Sequence, residues 1–196
     1  MVAETVPLPE PRCPTCRRNS LTLTEFVENV DYFGPVLLTT ISCTQCGYRD
    51  ADVASLSEGK PSIIRAQITS TRDLTMKVIR SSSATIHIPR LGISISPVSS
   101  AEGFITNVEG VLDRIQPILE GVVPNLSARQ KKRAEAILAD LKKAREGHLS
   151  FILELRDPSG NSAIAGSNTS KIKKKPFPKK ELERYKKQLM SVQPGD

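Results

Sequence analysis

Tryptophan is absent from this 196-residue sequence, and aromatic residues make up only 4% of it. Any core must therefore be built mainly from Ile, Leu and Val, and stacking platforms for nucleic-acid bases are scarce. Only two histidines occur, His87 and His148. His87 alternates with Ile86 and Ile88, and His148 follows a helical pattern; neither sits in a motif with a nucleophile, so the sequence predicts no enzyme. No G-x-x-x-x-G-K-[ST] loop is present to cradle a nucleotide. No stretch approaches the roughly 18 apolar residues of a membrane span. The opening MVAETVPLPEPR lacks the charged start and apolar run of a secretory signal. These absences predict a soluble, cytoplasmic protein without a membrane partner.

What is present is unevenly spread. Hydrophobic residues make up 38% and charged residues 25%, enough for a folded core. The net charge is +7. Residues 1–164 hold 19 Lys/Arg and 18 Asp/Glu, whereas residues 165–196 hold 9 and 3. The body is nearly neutral, and the basic character belongs to the tail.

The four cysteines form two pairs, Cys13-Pro-Thr-Cys16 and Cys43-Thr-Gln-Cys46. Two C-x-x-C turns consume every cysteine, which is a strong zinc pattern. Two such turns place four soft thiolates around one tetrahedral Zn²⁺. Disulfides fit poorly without a secretory signal, and a redox motif does not need two copies. A closed four-sulfur site leaves no position for substrate, so the metal is structural. Between the pairs, one strand begins at Leu21, Leu23 and Phe26, and another runs from Val36 to Ile41, with residues 31–35 as the turn region. Gly47 fits a knuckle position of positive φ. The whole reads as a zinc ribbon stapled by metal.

Residues 59–98 read as short strands: Ile63 to Ile68, Leu74 to Ile79, Ala84 to Ile88, and Ile93 to Ile95. Such spacing suggests a sandwich or barrel. Phe104, Ile105, Val108, Val111, Leu112, Ile115 and Leu119 then recur at helical spacing, with Pro117 expected to shorten or kink the helix. Ser127-Ala-Arg-Gln130 matches a capping box ahead of a second helix. Phe151, Leu153 and Leu155 return to strand alternation. The expected organisation is an N-terminal arm (1–12), a zinc ribbon (13–58), a β domain (59–165) with a helical hairpin inserted at about 101–148, and a basic, flexible tail (166–196). Leu182, Tyr185 and Leu189 share one face of a possible short helix in that tail. In RDPSGNSAI, Pro158 and Gly160 supply turn geometry and Asp157 and Asn161 can bond nearby backbone, so the stretch reads as a hairpin turn.

Several segments together resemble one family: CPTC, YFGPV and CTQCGYRD in the ribbon, DLTMKVIRSSSATIHIPRLGISISP in the strands, ITNVEGVL at the first helix, and DPSGNS. They are similar to the ZPR-one zinc-finger family in its single-unit archaeal form, over about residues 11–164. The resemblance implies a mainly β fold with an α insertion: a four-cysteine zinc ribbon followed by a double-stranded β-helix carrying a helical hairpin. It further implies a chaperone-like protein-binding role. Eukaryotic relatives carry two such units, bind translation elongation factor 1-alpha, assist its folding, and have been linked to receptor tyrosine kinases. The family's first knuckle usually reads CPxCG; here Arg17 takes the glycine's place and no metal ligand changes.

Function is expected from zinc-dependent protein binding, with Tyr32 as an exposed aromatic anchor, Phe33 more inward, and Ser159 and Asn161 as further candidate contacts. The alternative is a zinc-ribbon nucleic-acid binder using Lys173, Lys174, Lys175, Lys179 and Lys180 on phosphates. A charge run of this kind more often forms a solvated tail.

Overall fold

A computed structural model describes residues 4–7, 12–56, 59–97 and 102–191. The first sheet holds β1 (Glu4–Pro7), β2 (Leu21–Val30), β3 (Gly34–Cys43) and β4 (Arg49–Ser55), antiparallel in the order β1-β2-β3-β4. β2 and β3 pair along their full length, from Leu21↔Cys43 to Val30↔Gly34. Residues 31–33 turn the chain between them. The expected arm at 1–12 is thus partly strand, because residues 4–7 add an edge to β2.

The second unit contains two sheets. One consists of β5 (Ser62–Ile68), β7 (Thr85–Ile88), β8 (Ile93–Ile95), β10 (Phe151–Asp157) and β12 (Ile172–Pro176), in the order β12-β5-β10-β7-β8. The other is β6 (Lys77–Arg80), β9 (Phe104–Asn107) and β11 (Ala163–Ala165), in the order β11-β6-β9. All pairings are antiparallel. Leu153, Leu155 and Ile88 from one sheet meet Val78 and Ile164 from the other, and Val111 and Leu112 of a helix close the same core.

That helix, α1 (Val108–Val122), is capped by Asn107, whose side chain accepts from Gly110 N at 2.7 Å. It runs through Pro117 rather than ending there. Pro117 deprives the Asp113 carbonyl of its helical donor, but both residues are exposed, so water can serve it. α2 (Ala128–Arg145) starts at the predicted Ser127–Gln130 capping box.

Four further expectations change. Phe104 and Ile105 lie in β9, so the helical part of the insertion starts at Val108; its expected start, residue 101, lies outside the described residues. Leu74 belongs to a 3-10 turn, Thr71–Thr75, and only Lys77–Arg80 form the strand after it. DPSGNS is not a hairpin turn: β10 pairs with β5 and β7, whereas β11 pairs with β6, so the loop crosses from one sheet to the other. The tail is not uniformly flexible: Ile172–Pro176 pair with β5, and α3 (Lys179–Ser191) follows. An edge strand needs only backbone pairing and tolerates exposed lysines, so apolar patterning did not reveal it.

The ribbon docks on the three-stranded sheet. Val30, Val36 and Val53 of the ribbon share a second core with Ile79 and Ala163, joined by Phe33, Leu38 and Ile105. Successive strand residues face opposite sides. Val78 therefore serves one core and Ile79 the other, and likewise Ile164 and Ala163. The Asp52 carboxylate accepts from the backbone N–H and hydroxyl of Ser82, both at 2.8 Å, and Gly103 N donates to Ala51 O at 2.8 Å.

Candidate metal centre and contact surface

Each C-x-x-C pair sits in a tight turn closed by backbone hydrogen bonds. Arg17 N donates to Cys13 O at 2.8 Å and Gly47 N to Cys43 O at 3.1 Å. The two turns match in sign of φ, +59° at Arg17 and +74° at Gly47. β2 and β3 bring the turns together, since Leu21, just past the first, lies opposite Cys43. A hydrogen bond from Arg18 Nη1 to Gln45 Oε1, at 3.1 Å, spans them.

The Cys13–Cys46 and Cys16–Cys43 Sγ separations are both 3.6 Å, and all four sulfurs lie within 4.8 Å of one another. A tetrahedron with Zn–S bonds of about 2.3 Å has edges of about 3.8 Å, so the donor set fits one Zn²⁺. The Ser20 hydroxyl, 3.0 Å from Cys43 Sγ, and the Gln45 N–H favour the Cys43 thiolate, lowering its pKa to about 6. Cys13, Cys16, Cys43 and Cys46 thus form a four-sulfur zinc-ribbon site for one structural Zn²⁺, with no coordination position left for substrate.

The candidate contact residues lie apart from this centre. Tyr32 is at the ribbon tip, 73% exposed and at a φ of +65°. The length of β2 puts it about 30 Å from the cysteines. Phe33 packs inward on the second core. Tyr32 and Asp31 border a groove of about 520 Å³ shared with Arg72, Lys77, Gly166 and Asn168. Its floor includes Asp73, which accepts from Thr69, Ser70 and Lys171. Burial raises the pKa of this carboxyl, but Lys171 and those backbone and hydroxyl donors outweigh it and bring the pKa down to about 2. Spacing gave no sign of this groove, because its two sides come from segments that meet only when the ribbon docks.

Ser159 is exposed, but its hydroxyl is spent internally, donating to Asp157 Oδ1 at 2.7 Å. Asp157 is fully buried and also accepts from Ser83 Oγ and Ser162 N. Asn161 is half-buried, its amide near Gly59 in the segment joining ribbon to β domain. Neither Ser159 nor Asn161 lines the Tyr32 groove.

Lys173, Lys174 and Lys175 are exposed on β12, and Lys179 and Lys180 begin α3. Strand alternation turns Lys174 away from Lys173 and Lys175, so the three do not form one row. His87 Nδ1 is 4.0 Å from Glu154, which is also held by Arg65 and Arg156. His148 lies beyond α2, 3.5 Å from Glu146. No described helix is long and apolar enough to cross a membrane.

The profile of the ZPR1 zinc-finger domain matches residues 7–61, and that of the ZPR1 jelly-roll domain matches residues 72–193. A ZPR1-like protein of Methanocaldococcus jannaschii, described as uncharacterized, is 39% identical, over 91% of this chain and 89% of its own length. One from Pyrococcus horikoshii is 34% identical, over 89% and 79%. The zinc finger chaperone zpr1 of Schizosaccharomyces pombe is 28% identical over 78% of this chain but only 34% of its own length. With the two ZPR1 domain profiles spanning most of its length and archaeal ZPR1-like relatives at 34–39% identity, the chain belongs to the ZPR1 zinc-finger family.

Proposed function

We propose that this protein is a zinc-dependent protein-binding module, acting in the cytoplasm as a chaperone-like adaptor for translation elongation factor 1-alpha, and that it is not an enzyme. The observation carrying this reading is the separation of metal from contact surface. The zinc is enclosed by four sulfurs, while Tyr32 stands exposed at the far end of the same strands, beside a polar groove. Zinc then holds the strands that present the aromatic side chain, and the aromatic makes the contact. The elongation factor follows from the family resemblance, and the fission-yeast relative is named a chaperone. Ser159 and Asn161 serve mainly to hold the loop in which they lie, and Phe33 supports the tip from within.

Co-purification with the elongation factor from the same cell tests this with zinc bound. Wild-type protein should retain the factor, and Tyr32→Ala should reduce its affinity by about tenfold or more, as expected for a hot-spot residue, with the fold intact by circular dichroism. Absence of a complex with the wild type overturns the partner; an unchanged Tyr32→Ala affinity overturns the anchor. RNA binding that survives removal of residues 166–196 would instead favour the nucleic-acid reading.

A further inference from the structure

Arg80, on β6, is 4% exposed, yet no carboxylate among the described residues lies within ion-pair distance of it. Its Nε donates to Ala84 O at 3.1 Å and its Nη1 to Glu102 O at 2.7 Å. Two of five guanidinium donors are thereby used, and Nη2 has no partner among the described residues. Burial lowers the pKa of this group, and the nearby charge of Arg114 lowers it further. Asp52 and Asp157 oppose the effect from a distance, but both are already engaged, by Ser82 and by the serines of the DPSGNS loop.

Arg114 of α1 approaches the same place. Its Cζ lies 4.4 Å from the centroid of the Phe104 ring, and that of Arg80 lies 5.6 Å away. Two guanidinium groups thus approach one aromatic ring at a pocket of about 320 Å³. Ile86 and Ile95 form its apolar wall, Ile118, 61% exposed, stands at its mouth, and the exposed Glu102 also lines it, so two guanidinium groups against one carboxylate leave the pocket net positive. That volume lies at the low end of the range for small-molecule sites, which combine apolar walls with a few placed polar groups.

The geometry points to a binding site for a small organic carboxylate with a short, branched apolar body. The carboxylate would take the free donors between Arg80 and Arg114, a charge-assisted arrangement suited to guanidinium groups. The body would lie against the two isoleucines. A phosphate fits less well, because Arg80 has already committed part of its fork to backbone carbonyls and the Glu102 carboxylate on the lining opposes a doubly charged anion more than a singly charged one.

Titration of the full chain, zinc bound, with 4-methylpentanoate and observation by ¹H–¹⁵N NMR tests this. Shifts should centre on Arg80, Phe104 and Arg114. The uncharged 4-methylpentanamide and the body-less acetate should each bind about tenfold more weakly, the factor expected for loss of one charged hydrogen bond or of part of the apolar contact. Arg114→Gln and Ile118→Asp, both at exposed positions, should fold normally and weaken the acid by a similar factor. Equal binding of acid and amide, no binding at millimolar acid, or no effect of either substitution overturns the proposal. Saturable binding of a peptide ending in a free leucine carboxylate, without binding of the small acid, also overturns it, in favour of a peptide-terminus site.

Discussion

Arg17 shows how a single position departs from its surroundings. It adopts the left-handed conformation that Gly47 adopts in the matching turn, and for a residue with a Cβ this costs roughly 1–2 kcal/mol. Its side chain is exposed. Arg17→Gly removes the steric cost but adds chain entropy to the unfolded state, so a net gain of about 0.5–1 kcal/mol is expected. A higher urea midpoint at constant zinc would bear this out, and an unchanged or lower midpoint would refute it. Residue chemistry was also the most legible level of the sequence. C-x-x-C spacing identified the four ligands because four thiolates and one metal leave few other arrangements. Gly160 marks the turn in DPSGNS and has a φ of +84°, but turn chemistry does not specify which strands the turn joins.

At the scale of elements, legibility followed burial. Strands with one buried face, such as β7 with Ile86 and Ile88 inward, announced themselves by alternation. β12, with four exposed lysine and proline positions in five residues, did not. β9 is hidden in the sequence because Phe104 and Ile105 extend the periodicity of α1 by one turn, and the break comes only where Asn107 caps the helix. The DPSGNS loop earns its glycine through a neighbouring element. A Cβ on Gly160 would lie 2.6 Å from the carbonyl carbon of Lys60 and 2.7 Å from its nitrogen, in the segment entering β5. Gly160→Ala should therefore destabilise the protein by about 1–3 kcal/mol through strain and displacement of that segment. Gly121→Ala is the control: it lies in α1 with nothing within 4 Å of a new Cβ, so it should stabilise slightly through helix propensity. Similar thermal midpoints for the two variants would refute the close-approach argument.

For the whole molecule, the least legible feature was the docking of ribbon on jelly roll. The ribbon at 13–58 and the β domain at 59–165 follow one another in sequence, with nothing in the motif pattern to pair them. The structure instead buries both faces of the β11-β6-β9 sheet, one against the larger sheet and one against Val30, Val36 and Val53 of the ribbon. Adjacent apolar residues such as Val78 and Ile79 were the sequence trace of this arrangement, since a strand buried on both sides loses its alternation. The docking alters what loss of metal should do. Structural zinc supplies folding free energy on the order of 10 kcal/mol in small zinc modules, so Cys43→Ser or chelation should unfold the ribbon. Ile79, Ala163 and Ile105 would then lose their cover and present an apolar face to water. The jelly roll should keep its larger core, yet bind a hydrophobic dye, unfold at a lower temperature than in the holoprotein, and aggregate more readily. Chelation followed in parallel by far-ultraviolet circular dichroism and dye fluorescence distinguishes the cases. Loss of ribbon signal with a rise in dye binding supports a docked ribbon that shields the sheet, whereas loss of ribbon signal with no dye response and an unchanged jelly-roll midpoint would show that the two units are energetically independent.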